Sequence, residues 1–217
     1  MTQRRIGILG GSFNPPHLGH LEMARLAKEQ LNLTQVWLMV SPQNPLKSDA
    51  DMAPLADRMT MCEKLAAEHP WLQVTDIERR LGTRYTADTL EKLINKQPTN
   101  TFFWLMGDDN LKTFHKWDNW QKIAAMVPLV VFRRTEDDSA RQSPAAKSLA
   151  AYEVPPESPE ETPPNWRVLT NTLMPVSATE LRQAPETKSD FLPPEISAYI
   201  QEKNLYTQPR AYDTEGT

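Results

Sequence analysis

Short apolar runs alternate with stretches of helical period along most of this chain, and few architectures accept that alternation. Arg5 to Leu9, Val36 to Val40, Trp71 to Thr75, Thr101 to Met106, Val127 to Phe132 and Trp166 to Thr170 read as strands, being short, apolar and flanked by turn residues. Helical spacing predicts helices over Leu18 to Leu31, Leu55 to Glu68 and Ala87 to Asn95, with shorter ones over Ala178 to Gln183 and Pro194 to Lys203. Strands separated by helices pair in parallel, because each crossover carries the chain back to the same end of the sheet and covers a sheet face.

The expected fold is therefore α/β, a Rossmann-like doubly wound parallel sheet with helices on both faces and a single domain, with ligands at the carboxyl ends of the strands. A length of 217 residues with 39% hydrophobic positions suits one core. The 19 prolines gather in a few places, above all in an acidic, serine- and proline-rich stretch from Arg134 to Asn165. That stretch, 134–165, reads as a surface insertion without chemistry, broken by one helical candidate from Ala145 to Tyr152. Residues 1–207 are expected to form the domain and 208–217 a frayed tail.

A net charge of −4 and the absence of any lysine or arginine run give no footprint for wrapping nucleic acid, so an anionic partner is expected to be small. The apolar run after the two N-terminal arginines, Ile6 to Leu9, is too short for a signal peptide or a membrane span, which predicts a cytoplasmic protein with no membrane partner. The single cysteine, Cys62, lies in an apolar helical stretch and reads as a buried structural thiol.

The densest chemical signal is Gly10-Gly11-Ser12-Phe13-Asn14-Pro15-Pro16-His17-Leu18-Gly19-His20, set between the first strand and the first helix. Glycines let an anion approach bare backbone N–H groups, and the helix start adds the positive end of its dipole. His17 and His20, three apart at that start, can turn both imidazoles toward one phosphoryl group. A histidine pair at this spacing is also met among metal ligands, but no carboxylate or cysteine at ligand spacing completes such a site nearby, so no protein-bound metal is expected.

The run Gly11 to His20 resembles the Gly-x-Phe-x-Pro-x-His-x-Gly-His signature of the HxGH nucleotidyltransferase superfamily. Val176-Ser177-Ala178-Thr179-Glu180-Leu181-Arg182 is similar to its second motif. By itself Ser-x-Thr-x-x-Arg describes a capped helix. Paired with the histidine turn, its hydroxyls, helix-start N–H groups and guanidinium make a second anion site, suited to departing phosphates.

The middle of the chain narrows the resemblance to nicotinate-nucleotide adenylyltransferases. Glu78 to Leu90, which contains Tyr85-Thr86, is similar to one segment of that family, and Met106-Gly107-Asp108-Asp109-Asn110-Leu111 with Phe114, Trp117 and Trp120 is similar to another. The resemblance implies that Trp117 stacks on the nicotinate ring and that backbone amides at Thr86 meet its carboxylate, with Tyr85 beside them in the mononucleotide site. Trp120 is left to packing. Asp109 is placed for a ribose or the adenosine half, with Gly107 beside it and Asp108 solvated. Asn44 and Lys47 occupy the family's substrate loop, where Lys47 can reach a phosphate as a point charge, a solvated surface lysine being the alternative. Phe132-Arg133-Arg134-Thr135 departs from the family's Arg-Arg-Pro-Gly, which leaves Arg134 as the candidate near adenine.

What the resemblance implies is transfer of AMP from ATP to nicotinate mononucleotide, with Mg²⁺ carried in on ATP. Gly10, Gly11, Ser12, Phe13, His17, His20, Gly107, Asp109, Arg134, Ser177, Thr179 and Arg182 would serve ATP, with His17, His20 and Arg182 catalytic. Asn44, Lys47, Tyr85, Thr86 and Trp117 would serve the mononucleotide. A monomer or weak homo-oligomer is expected.

Overall fold

In the computed structural model, which describes residues 3–42, 52–133, 139–169, 176–183 and 189–206, six strands form one sheet. They are β1 (Arg5–Gly11), β2 (Gln35–Val40), β3 (Leu72–Thr75), β4 (Thr101–Gly107), β5 (Leu129–Phe132) and β6 (Trp166–Leu169), in the order β3-β2-β1-β4-β5-β6. Every pairing is parallel. Alternate residues of each strand enter opposite cores, as the strand period of two requires. Ile6, Ile8, Phe102, Trp104, Met106, Leu129 and Val131 face one, while Leu9, Phe103, Leu105, Val130 and Phe132 face the other.

Helices cover both faces. α1 (Leu18–Gln30) and α2 (Leu55–Ala66) pack on the second face through Met23, Ala24, Ala27, Met61, Cys62 and Leu65. After β3 the chain crosses to the first face, where α3 (Ile77–Leu81), α4 (Thr86–Lys96), α5 (Asp108–Thr113) and α6 (Trp120–Met126) follow. The winding reverses between β1 and β4, so the loops that leave their carboxyl ends diverge and open a crevice there.

Three helices were not anticipated. α3, α5 and α6 are 5, 6 and 7 residues long, too short to show a helical period. β1 also runs on through Gly10 and Gly11, which pair with Met39 and Val40 of β2, rather than breaking at the glycines. A Cβ at position 10 would lie 2.5 Å from Cη2 of Trp104, so this glycine makes room for an indole in the core. Gly10→Ala is expected to destabilise the fold by about 1–3 kcal/mol through overpacking, to be read from urea denaturation midpoints beside the unaltered protein.

The expected surface insertion carries the β5-to-β6 crossover instead. Within it α7 (Pro144–Ser148) and a 3-10 turn, Ala150–Tyr152, replace the single helix expected from Ala145 to Tyr152. Ala140, Ala145, Ala146 and Leu149 enter the first core, and the Trp166 indole donates to the Leu149 carbonyl at 2.9 Å. The proline-rich remainder is tied to the sheet by Arg167, which is 3% exposed and donates to the carbonyls of Pro156, Ser158 and Glu160. An Arg5–Glu161 ion pair at 2.6 Å adds to this. Composition hid the connection because its apolar residues are few and small. Among the residues after β6, α8 (Ala178–Gln183) and α9 (Pro194–Glu202) are described, with Ile196 of α9 packed in the second core.

Candidate active site

The turn between β1 and α1 is tightly held. Phe13, 2% exposed, takes a positive φ of 47° and lies edge-on to His20 with centroids 4.9 Å apart. The His17 and His20 rings lie against each other, tilted by 37° with centroids 3.8 Å apart, as their spacing at the helix start predicts. His20 Nδ1 accepts the His17 backbone N–H at 3.2 Å, so in the neutral ring the proton resides on Nε2, which makes that atom a donor. His17 itself is 1% exposed. Gly19 lets its ring lie flat on the first turn of α1, since a Cβ there would meet His17 Cε1 and Nδ1 at 2.9 Å.

The second motif meets the first. Arg182 on α8 donates from Nη1 to the carbonyl of Asn14 at 2.6 Å and to that of Ala178 at 3.2 Å, which leaves Nη2 and Nε as donors for an anion. Ser177 caps α8. Its N–H and hydroxyl donate to Glu180 Oε2 at 2.8 and 2.9 Å, and its Oγ accepts the Glu180 N–H at 3.2 Å. Read from sequence as a phosphate donor, Ser177 is thus engaged in a capping box, and Thr179 is exposed beside it.

Across the crevice, Gly107 ends β4 and α5 begins with no intervening loop. Successive helical residues swing about 100°, so the two aspartates part company. Asp108 is 5% exposed and Asp109 is exposed, which corrects the expectation of a solvated Asp108. Trp117 is half-buried and edge-on to Trp104 at 6.0 Å and to Phe114 at 5.4 Å. Trp120, also half-buried, packs on Phe114 at 5.7 Å. Thr86 opens α4 after Tyr85, which is 37% exposed. Asn44, Lys47 and Arg134 lie outside the described residues, as do Thr170 and the tail from 208.

Sequence reading passed over a set of residues that shape the turn from behind. Arg58 of α2 is 1% exposed, and its guanidinium donates to the carbonyls of Ala53, Ser12, Ser41 and Pro42 at 2.9, 2.7, 2.7 and 2.9 Å. Asn14 Oδ1 accepts from the Ala53 N–H at 2.9 Å and the Tyr206 hydroxyl at 2.8 Å. Burial pushes the Tyr206 phenol well up, against the pull of Arg182 and Arg58, so it stays a donor. Glu78, 3% exposed, hydrogen-bonds Ser41 at the end of β2, and burial raises its carboxyl. A signal for Arg58 existed: with Met61, Cys62 and Leu65 it occupies the buried stripe of α2, a place where a cation needs a reason. Cys62 itself is fully buried, and burial pushes its thiol far up, as befits an inert structural side chain.

The His17 and His20 imidazoles and the Arg182 guanidinium meet at this turn, donors suited to phosphate oxygens. Among the described residues no three His, Cys, Asp or Glu side chains gather as metal ligands, and no helix is long and apolar enough to cross a membrane.

Fold and site together define a nucleotidyltransferase: the cytidylyltransferase-like family model matches residues 8–184, and the chain belongs to that family. A protein of Bradyrhizobium sp. strain ORS 278, named "Probable nicotinate-nucleotide adenylyltransferase", is 43% identical over 192 residues, 86% of this chain and 100% of its own. One of the same name from Parvibaculum lavamentivorans is 50% identical over 146 residues, 67% of this chain and 72% of its own. Within the wider class, then, this chain is a member of the nicotinate-nucleotide adenylyltransferases. The fold is shared with Plasmodium falciparum nicotinic acid mononucleotide adenylyltransferase complexed with NaAD, at a TM-score of 0.72 and 18% identity over 94% of this chain and 98% of that one.

Proposed function

We propose that the protein transfers the adenylyl group of ATP to nicotinate mononucleotide, giving nicotinate adenine dinucleotide and pyrophosphate. A phosphate oxygen of the mononucleotide forms a bond to the α-phosphorus of ATP in line, and the bond from that phosphorus to the oxygen bridging to the β-phosphorus breaks. No covalent enzyme intermediate is needed. Catalysis is positioning and charge stabilisation.

The observation that carries this reading is the Arg182 bond to the Asn14 carbonyl, which sets the guanidinium beside the histidine turn. His20 donates from Nε2 to the α-phosphoryl or bridging oxygen, with His17 stacked behind it. Arg182, Ser177 and Thr179 hold the leaving phosphates, Ser177 by releasing Glu180 as the anion arrives. Gly10, Gly11, Ser12 and Phe13 frame the phosphates, and Gly107, Asp109 and Arg134 serve the adenosine half. Asn44, Lys47, Tyr85, Thr86 and Trp117 take the mononucleotide. Mg²⁺ enters on the ATP phosphates, since the donors at the turn suit anions. The working unit is residues 1–207 as a cytoplasmic monomer or weak homo-oligomer acting on these small substrates and on no nucleic acid.

The test is pyrophosphate release with ATP and Mg²⁺ when nicotinate mononucleotide, nicotinamide mononucleotide or phosphopantetheine is supplied in turn. Turnover strongest with nicotinate mononucleotide is expected; preference for either other acceptor would overturn the substrate assignment. Trp117→Ala is expected to raise KM for the mononucleotide about tenfold to a hundredfold, the loss of a ring-stacking contact of 1–3 kcal/mol, while KM for ATP holds. Equal changes in both constants would assign Trp117 to packing alone.

A further inference from the structure

We infer that Arg58, an internal residue of α2 outside both signature motifs, is a positioning residue for the reaction: it sets the spacing between the phosphate turn and the loop leaving β2. The inference rests on the adenylyl-transfer reading of the site. Arg58 joins three separate pieces of backbone, namely Ser12 in the phosphate turn, Ser41 and Pro42 after β2, and Ala53 before α2. Nη1 alone bridges Ser12 and Ser41, each at 2.7 Å, so one planar group fixes how far the two loops stand apart.

The arrangement is costly for stability alone. A cation that is 1% exposed has no carboxylate within ion-pair distance among the described residues, and burying an unpaired charge opposes folding. A lysine could keep the charge but not the fork, whose fixed geometry reaches several carbonyls at once. The three pieces bear on both substrates: Ser12 adjoins the ATP turn, and Ser41 and Pro42 lead into the stretch that holds Asn44 and Lys47. Reacting groups held by two loops must keep their separation, because misplacement of about 1 Å can cost a hundredfold in rate.

The experiment compares Arg58→Lys and Arg58→Ala with the unaltered protein in steady-state kinetics on ATP and nicotinate mononucleotide, well below each variant's Tm. Arg58→Lys is expected to lose at least about tenfold in kcat with both KM values within about threefold, the signature of misalignment rather than lost binding. In Arg58→Ala, guanidinium chloride at about 20 mM, far below denaturing levels, is expected to restore part of kcat where equal urea or sodium chloride does not. A folded Arg58→Lys with unaltered kcat overturns the inference, as does loss of the fold in both variants at 10 °C, which would assign the residue to stability. No turnover by the unaltered protein would instead sink the adenylyl-transfer reading itself.

Discussion

Alanine at His20 is expected to lower kcat for adenylyl transfer about 10²- to 10³-fold, the usual effect of deleting one donor aimed at charge developing in the transition state. The prediction follows from the tautomer. Because Nδ1 accepts the His17 N–H at 3.2 Å, Nε2 carries the proton and can donate to the reacting phosphoryl group. The substitution also removes an acceptor at the start of α1, worth about 1 kcal/mol, so thermal unfolding should accompany the kinetics. A small drop in Tm with a large drop in kcat, and an ATP dissociation constant changed less than about tenfold, is the expected pattern. Undiminished kcat would remove His20 from the chemistry.

Arg182→Ala is expected to reduce kcat/KM for ATP by a similar factor, about 10²- to 10³-fold, for two physical reasons that act together. It deletes the guanidinium proposed to hold the leaving phosphates, and it leaves the Asn14 carbonyl without the donor at 2.6 Å. Arg182→Lys should recover only part of the loss, since an ammonium supplies charge but cannot bond the carbonyl and grip a phosphate in one plane. The comparison is by steady-state kinetics at saturating mononucleotide. A lysine variant as active as the original would show that charge alone suffices.

The layout of the sheet was legible because strand runs such as Phe102 to Met106 and Val127 to Phe132 are apolar throughout, which parallel strands buried on both faces require. The histidine turn was legible for a different reason: His17, Gly19 and His20 act within a single turn of helix, so their spacing in sequence is their spacing in space. What Arg58, Tyr206 and Glu78 bond to was not legible, although the place of Arg58 on the buried stripe of α2 was. Their partners are backbone carbonyls, a side-chain amide and a serine on elements that only folding brings near. Asp108, expected to be solvated, is buried because α5 starts directly off β4, which no local pattern announces. Ser177 was correctly placed at a helix start, yet its side chain answers to Glu180 three residues on, a pairing the capping-box pattern already contained.

The Asn14 side of the histidine turn is completed from far along the chain: Arg182 is 168 residues away and Tyr206 is 192. Such contacts close long loops of chain, and entropy makes long loops late to close. A ribosome therefore releases β1, the histidine pair and most of the sheet well before the groups that finish the site. A nascent or prematurely terminated chain stopping short of residue 176 would carry the histidine motif in full and still lack the two side chains that bond Asn14 from far along the chain. If Arg182 serves the leaving phosphates as proposed, activity would be confined to chains whose synthesis has passed it.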